Sequence, residues 1–533
     1  MKRLIITTLI LLIAAASVTV VYFKNLNPQG QRTSQIMNII PDNAAVIFEF
    51  NNDKGFYDIF NNNGLFTAIA GRQTIDDLNT IRRQLLSNRP LEPFFTGQNF
   101  FISLHPLKDN NIDLLLTTSA ARGFNPSVIE QMAKSQHNGL LITPINFEGK
   151  KGYTLYSNIL KKRFYLVNIE GDIFSGSFSK DLVAQAAKDD PIKNKRSFVL
   201  LPDQQNSNSL ANLYVNYSQL NLLFEQLFKN KNTDIFKSFR SLSDLAALSL
   251  NYRSDALMFS GFTNIADAGP ANYLNLFVNQ QPISNHLKDI FPSTTAYSIS
   301  FAVSDPAKFK LALSQSQEKA GLQNQKDSLF KKINTETGIN LVAEFNQLLG
   351  NEFAVVTTRY QEKIAIITIK DGSKFKSILN NISTTITDKT GQFNYDKLPF
   401  FLLGEPYTIF KHPYFMLIDN YLILANSTNE LASYYDTYLN RKFLSQMEQH
   451  NKFDNLLAER CNVTWFINFK NAQPLLKNEL STRFYNIFDT GDPGWKTFYG
   501  AAYQFVANEK KFYTNFSMSL RDTTFNKKQR FGK

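Results

Sequence analysis

The chain has 533 residues, more than the roughly 250 to 300 residues at which a single hydrophobic core stops growing, and we therefore expect two domains. Apolar residues make up 43% of the sequence, with 47 Phe and 22 Tyr, which excludes a largely disordered chain. The net charge is +12, but the basic residues are dispersed, and we expect no nucleic-acid partner. A single cysteine, Cys461, excludes an intrachain disulfide and a cysteine metal cluster.

The N-terminal segment predicts a membrane anchor. Lys2 and Arg3 precede an uncharged apolar run at residues 4–23, about the ~20 residues that a helix needs to cross a bilayer. By the positive-inside rule these two charges stay in the cytoplasm, which sends the later domains across the membrane. We expect residues 1–23 to hold a single-pass protein in a bacterial inner membrane, with a polar stalk at 24–35 and the domains in the periplasm.

The rival interpretation of this segment is a cleaved signal peptide. The three alanines at residues 14–16 form a small-residue cleavage site. The apolar run continues beyond them to Phe23, which favours an uncleaved helix.

An internal repeat organises the rest of the chain. Residues 40–50 contain a proline, a small polar turn and an alternating strand, and residues 291–301 repeat this order. The spacing from Pro41 to Pro292 is 292 − 41 = 251, and that from Gly97 to Gly350 is 350 − 97 = 253. Because independent landmarks share one spacing, we predict a duplication. The expected parts are a first repeat domain at 36–264, a connecting segment at 265–284, a second repeat domain at 285–520 and a basic tail at 521–533.

Periodicity predicts similar elements in both halves. In the first half we expect a helix from Phe66 to Leu85, a hairpin at 100–104 and 112–118, a helix at 125–132, strands around 164–167 and 172–176, a helix capped by Ser179, a strand at 212–216, a helix at 219–228 and a closing pair at 245–252 and 256–262. In the second half we expect a hairpin at 354–357 and 364–369, a helix at 373–379, strands at 414–418 and 421–425, a helix capped by Thr428, a strand at 463–469, a helix at 473–480 and a closing pair at 500–505 and 511–518.

A further strand is expected at 274–278, inside the connecting segment. Hairpins dominate both halves, and no glycine-rich crossover from strand to helix occurs. We therefore predict an α+β fold of two tandem duplicated domains with antiparallel sheets and flanking helices, after an N-terminal transmembrane helix.

No residue pattern indicates catalysis or metal binding. The five histidines, which we expect at surfaces or strand ends, stand singly without metal-ligand spacing: His105, His137, His286, His412 and His450. Nucleophile elbows, zinc-protease motifs and phosphate-binding glycine loops do not occur in the sequence. Cys461 precedes an apolar strand and is expected to be a small buried thiol. We predict no catalytic, cofactor-binding or metal-binding residue, no cofactor and no enzymatic activity.

Paired acids and aromatic groups have simple structural interpretations. Asp76-Asp77 and Asp189-Asp190 are adjacent, and neighbours on a helix point in different directions, so we expect solvated charge. Asp42 corresponds to Ser293 in the repeat, which indicates a turn residue. The aromatic groups at 94–95, 434–435 and 495–499 stand beside aliphatic residues and are expected in the core.

The anchor, the stalk and the duplicated opening resemble those of a family of uncharacterised bacterial envelope proteins, single-pass or lipoprotein, known only as domains of unknown function. The Asn-, Lys- and Phe-rich composition is similar to that of the Bacteroidetes-type members. The resemblance covers most of residues 36–520. It implies a duplicated α+β protein of the envelope, and it implies no catalytic residue, cofactor or substrate.

Three functions follow as hypotheses. The first is a non-catalytic membrane-anchored protein that contacts the membrane through residues 4–23 and binds another envelope component, either a protein or a lipid. The alternative is a periplasmic carrier or sensor of an apolar ligand such as lipid, suggested by the high Phe content. The third is an unrecognised hydrolase, which would need a cleft that gathers His105 or His412 with acids.

Overall fold

The computed structural model describes residues 35–61, 72–87, 89–106, 112–135, 140–188, 209–229, 245–253, 255–264, 272–490 and 495–521. The strands, in chain order, are β1 Val46–Asn51, β2 Asn99–Pro106, β3 Ile112–Ser119, β4 Leu140–Phe147, β5 Lys150–Ser157, β6 Lys162–Glu170, β7 Ile173–Ser177, β8 Ala211–Asn216, β9 Leu245–Tyr252, β10 Ala256–Thr263, β11 Ile283–Ser284, β12 Thr295–Ala302, β13 Leu349–Thr358, β14 Lys363–Ile369, β15 Ser383–Thr385, β16 Thr390–Phe393, β17 Tyr414–Ile418, β18 Tyr421–Ala425, β19 Arg460–Cys461, β20 Val463–Asn468, β21 Phe498–Asn508 and β22 Lys511–Leu520.

The α-helices are α1 Lys54–Asn61, α2 Arg72–Ile81, α3 Glu92–Phe95, α4 Ser127–Ser135, α5 Lys180–Ala187, α6 Tyr217–Leu227, α7 Pro306–Lys319, α8 Gln323–Thr337, α9 Leu341–Leu348, α10 Gly372–Ile382, α11 Leu398–Leu403, α12 Thr428–Leu439, α13 Glu448–Asp454, α14 Phe469–Glu479 and α15 Thr482–Thr490. A π-helical turn spans Arg82–Leu86, and short 3-10 helices span Tyr273–Phe277, Leu287–Ile290, Glu405–Tyr407, Leu444–Gln446 and Trp495–Thr497.

The chain divides into two units. Unit one comprises residues 1–53, 82–105 and 113–211, and unit two comprises residues 54–81, 106–112 and 212–533. Antiparallel strand pairs and helices occur together in the fold, which confirms the predicted α+β class. The domain bounds predicted from the sequence, 36–264 and 285–520, stay a prediction.

Seven strands of unit one form a sheet in the order β1-β2-β3-β7-β6-β5-β4. Helix α5 packs on β6 and β7, and the Oγ of its N-cap Ser179 accepts a hydrogen bond from the N–H of Leu182. This bond satisfies one of the free amides of the first helical turn. The cap predicted at Ser179 is confirmed.

Thirteen strands of unit two follow one another in the order β8-β9-β10-β22-β21-β20-β12-β13-β14-β18-β17-β16-β15, with antiparallel pairing throughout. The short strands β11 and β19 form a separate pair. Helix α12 packs on β14, β17 and β18, and α14 packs on β12 and β21. The core cluster at α12 includes Ile366, Leu431 and Phe453. The core cluster at α14 includes Phe469, Leu475 and Phe498.

The proline motif forms the same turn in both halves. The N–H of Ala44 donates to the carbonyl of Pro41 at 3.0 Å, and the N–H of Thr295 donates to the carbonyl of Pro292 at 2.9 Å. The turn places the chain at the start of β1 or β12, where the alternating strand begins. Because the backbone closes both turns, this bond does not depend on a carboxylate.

The structure corrects the sequence predictions in three places. It contains additional hairpins, β4–β5 and β15–β16, that the sequence analysis did not predict. Strand β4 was not predicted because it contains Pro144, and proline is tolerated in a strand mainly at a sheet edge. Residues 274–278 do not form the expected strand: Tyr273–Phe277 is a 3-10 helix whose apolar residues are all buried, and such a run has no strand-like alternation. The N-cap of α12 is Ser427, and Thr428 is its first helical residue.

Among the described residues, no helix combines the length and the hydropathy that a membrane span requires. The predicted anchor at 4–23 and most of the basic tail at 521–533 lie outside the described ranges.

Candidate functional site: a polar cavity in unit two

A row of polar side chains crosses three neighbouring strands of unit two. Ser300 of β12 pairs with Thr464 of β20, and Thr464 pairs with Gln504 of β21. Ser298 lies two residues before Ser300 and therefore points to the same face of the sheet. Strand alternation and cross-strand register together place these oxygens and amides side by side.

This polar row forms the floor of a cavity of about 40 Å³. The walls come from residues 285–291, which follow β11, from β19, from α13 and from residues 457–459, which follow α13. The lining residues are Asn285, Lys288, Phe291, Ser298, Ser300, His450, Asp454, Leu457, Ala458, Glu459, Cys461, Thr464, Phe466 and Gln504. A buried water needs at least about 10 to 15 Å³ of such space, so the cavity has room for about three small groups.

Asn285 has an unsatisfied acceptor at this cavity. Its side-chain Nδ2 donates to Ser300 Oγ at 2.9 Å, whereas its Oδ1 accepts no hydrogen bond from any described residue, although Asn285 is only 8% exposed. A buried amide oxygen without a donor costs about 1 to 3 kcal/mol. The site therefore favours a bound group that carries an O–H or N–H donor, and a water molecule meets this requirement.

The cysteine and histidine of the cavity are both held in their neutral forms. Cys461 is 2% exposed, its Sγ lies 3.0 Å from Thr464 Oγ1, and burial raises the pKa of its thiol. His450 Nδ1 lies 3.2 Å from Tyr499 Oη, and burial lowers the pKa of the imidazole to about 4. No hydrogen bond joins Cys461 to His450 in the described structure. A thiol of this kind is a poor nucleophile, because the thiolate is the reactive form.

The only ion pair of the cavity wall among the described residues joins Lys288 and Asp454. Lys288 Nζ lies 2.5 Å from Asp454 Oδ2, and both side chains are partly exposed. The pair neutralises its own charge. The cavity can therefore hold small neutral polar groups, and in the described structure its thiol and imidazole, Cys461 and His450, are not hydrogen-bonded to each other as a nucleophile and its base would be.

The other histidines of the described ranges have different surroundings. His105 is the penultimate residue of β2, which confirms the expected strand-end position. Its ring is fully buried in unit one between Asn43 and Ser103. His286 and His412 are exposed, and His412 Nε2 lies 4.0 Å from Asp396 Oδ1. His450 is buried, which corrects the expectation of a surface or strand-end position. His137 lies outside the described residues.

The paired acids and the aromatic groups adopt separate roles. Asp76 is exposed, as expected for solvated charge, whereas Asp77 is buried and accepts a hydrogen bond from Gln73 Nε2, which corrects that expectation for Asp77. Asp189 and Asp190 lie outside the described residues. The core position expected for the aromatic groups is confirmed for Phe95, Tyr434, Phe498 and Tyr499. Within the described ranges no three His, Cys, Asp or Glu side chains gather into a metal site.

The sequence predicted the buried thiol of Cys461, but neither the buried position of His450 nor the polar partners around the two residues. Asn285, Ser300 and Gln504 are ordinary surface residue types, and they carry no motif. The polar alternation of Ser298 and Ser300 in an otherwise apolar strand was a usable signal, because two polar residues at a spacing of two share one face.

No protein-family model matches the sequence, and no curated protein matches it. The solved structure described as crystal form III of TP0453 aligns with 47% of this chain and 88% of its own, at 10% sequence identity and a TM-score of 0.22. A likeness at this level carries no argument about the fold or the function of the present chain.

Proposed function

We propose that the chain is a non-catalytic, membrane-anchored envelope protein whose α+β units face the periplasm and bind another envelope component. The observation that carries this proposal is the chemistry of the polar cavity, where burial keeps Cys461 and His450 neutral and the charges of Lys288 and Asp454 are paired. A buried neutral thiol is a poor nucleophile, so such a site favours binding over bond cleavage. The anchor is the uncharged run at residues 4–23.

We further propose that the chain is a tandem duplication and belongs to the uncharacterised envelope family that its sequence resembles. The strand order β1-β2-β3-β7-β6-β5-β4 corresponds element by element to β12-β13-β14-β18-β17-β16-β15. The turns at Pro41 and Pro292 close with the same backbone bond. Both halves end in a hairpin, β9–β10 or β21–β22, which supports a common origin.

The binding proposal is tested in native membranes with the full chain. A photoreactive phenylalanine analogue replaces Leu311 of α7 or Leu439 of α12, which are 62% and 63% exposed. The same analogue at Lys510, in the exposed turn between β21 and β22, is the control for random encounters. We expect an adduct of constant mass at one of the leucines and none at Lys510. No adduct at any position, or the same bands at all three, would refute the proposal. Retention of the chain in alkaline-washed membranes tests the anchor.

The carrier alternative has its own supporting observation. A cavity in unit two between β14, β18 and helices α9, α10 and α11 is lined only by apolar side chains. Its volume is about 20 Å³, so a long acyl chain enters only if these helices separate. Mass spectrometry of lipids extracted from the purified protein tests this alternative, and a stoichiometric lipid is the expected result.

A further inference from the structure

Helix α7 carries a lysine whose ammonium group has no hydrogen-bond acceptor among the described residues. Lys310 Nζ is shielded from solvent, and none of the described residues accepts a hydrogen bond from it. Its contact is aromatic: the ammonium lies 5.8 Å from the ring centroid of Phe345 on α9. A shielded cation without an acceptor is costly, and an anion placed beside it would remove that cost.

A second lysine increases the positive charge at this point. Lys370 follows β14, and its backbone N–H donates to the carbonyl of Leu348 at the end of α9 at 2.7 Å. Burial, with a smaller contribution from the charge of Lys370, lowers the pKa of Lys310 to about 8. No carboxylate forms an ion pair with Lys310 among the described residues, so the local charge is uncompensated.

The same aromatic ring borders the apolar cavity of unit two. Phe345 lines this cavity together with Leu341, Ile367, Phe375, Ile382, Phe393, Leu398, Pro399, Leu402, Leu403, Leu422 and Leu424. Phe345 therefore lies next to both an uncompensated cation and a purely apolar cavity. A ligand complementary to both has an anionic head and a hydrocarbon chain.

We propose that Lys310 and the apolar cavity form a binding site for an anionic amphiphile, with the acid group on Lys310 and the chain between α9, α10 and α11. This inference rests on the carrier alternative and specifies its ligand class. The shared chemistry is an acidic head with an acyl chain, which a free fatty acid or an anionic phospholipid can supply. Because the cavity holds about 20 Å³, binding requires outward movement of the leucines of α11.

The test uses the full chain in nanodiscs of zwitterionic lipid and two photoreactive probes of equal chain length, a laurate analogue and a dodecanol analogue. Mass spectrometry locates the labelled peptides. We expect the laurate probe to label α9 or α11 at least about tenfold more than the dodecanol probe, since only laurate carries a charge for the lysine.

Variants distinguish labelling that depends on the charge of Lys310 from non-specific labelling. Lys310→Met is expected to lower laurate labelling at least about fivefold, and Lys310→Arg to retain most of it, because a cation remains. Lys308→Met is the matched control, because Lys308 is exposed on the same helix and pairs with Asp305. Circular dichroism confirms that each variant is folded. If Lys310→Met unfolds, Lys370→Met replaces it, with the same direction of effect.

Each outcome decides the inference. Equal labelling by laurate and dodecanol, or equal loss in Lys308→Met and Lys310→Met, overturns the charged site and leaves an apolar carrier. Labelling spread evenly over the chain overturns both the site and the carrier alternative. Competition by free laurate, or by vesicles containing phosphatidylglycerol, supports the site and identifies the source of the ligand.

Discussion

Acid is expected to destabilise unit one through His105, near the end of strand β2. The ring has no exposed surface, its Nδ1 lies 2.8 Å from Asn43 Oδ1, and its Nε2 lies 2.7 Å from Ser103 Oγ. Burial lowers the pKa of the imidazole from 6.5 to about 3. The buried site therefore stabilises the neutral ring relative to the charged one.

The sign of the effect follows from proton uptake by the unfolded chain. As the pH falls through 6.5 the unfolded chain protonates His105, whereas the folded unit stays neutral there until about pH 3. The stabilisation is thus fully present above pH 6.5 and declines steadily towards pH 3. One pKa unit corresponds to about 1.4 kcal/mol, so the free energy of unfolding falls by about 2 kcal/mol at about pH 5.

Urea unfolding of the wild type and of His105→Gln, at about pH 7.5 and about pH 5, measures this contribution. Glutamine does not titrate, so the variant is expected to lose about 2 kcal/mol less than the wild type between the two pH values. His412→Gln removes an exposed imidazole and serves as the control. His450, whose pKa burial lowers to about 4, adds an acid-dependent loss of the same sign to every protein in the series. Equal pH dependence in the wild type and His105→Gln would show that His105 does not cause the loss of stability in acid.

Three further outcomes are expected. The Cys461 thiol, buried and with a raised pKa, should react with a disulfide reagent far more slowly in native protein than in urea, and equal rates would contradict its burial. Ser427→Ala should lower the free energy of unfolding by about 1 kcal/mol, because Ser427 Oγ caps α12. Thr428→Ala should lower it by less than about 0.5 kcal/mol. If urea unfolding gives the reverse order, Thr428 is the cap, as the sequence predicted. At Gly404, where φ is +96°, a Cβ would lie 2.3 Å from the ring of Tyr273, so Gly404→Ala should lower the free energy of unfolding by about 3 kcal/mol in thermal unfolding. Gly338→Ala, at φ +71° with open space around the Cβ, should lower it by only about 1 kcal/mol. Equal losses would show that the Tyr273 ring moves aside.

Much of the secondary structure was accessible from local patterns. The proline turns, the hairpins β2–β3 and β13–β14 and the closing pairs β9–β10 and β21–β22 all lie where alternation and turn residues predicted them. The errors arose where local rules are ambiguous. Pro144 stands in an edge strand, and the 3-10 helix Tyr273–Phe277 is apolar on all sides. In both cases the neighbours of the segment decide the conformation.

The sequence was sufficient to predict the class of the fold, because strand and helix periodicity act over a few residues. It also determined which residue types were available, including a lone thiol and isolated histidines. The three-dimensional fold brings Asn285, Cys461 and His450 to one cavity. It also places Lys310 beside the ring of Phe345, with no hydrogen-bond acceptor among the described residues. Protonation and hydrogen bonding depend on burial, and burial depends on side chains brought together from distant parts of the chain.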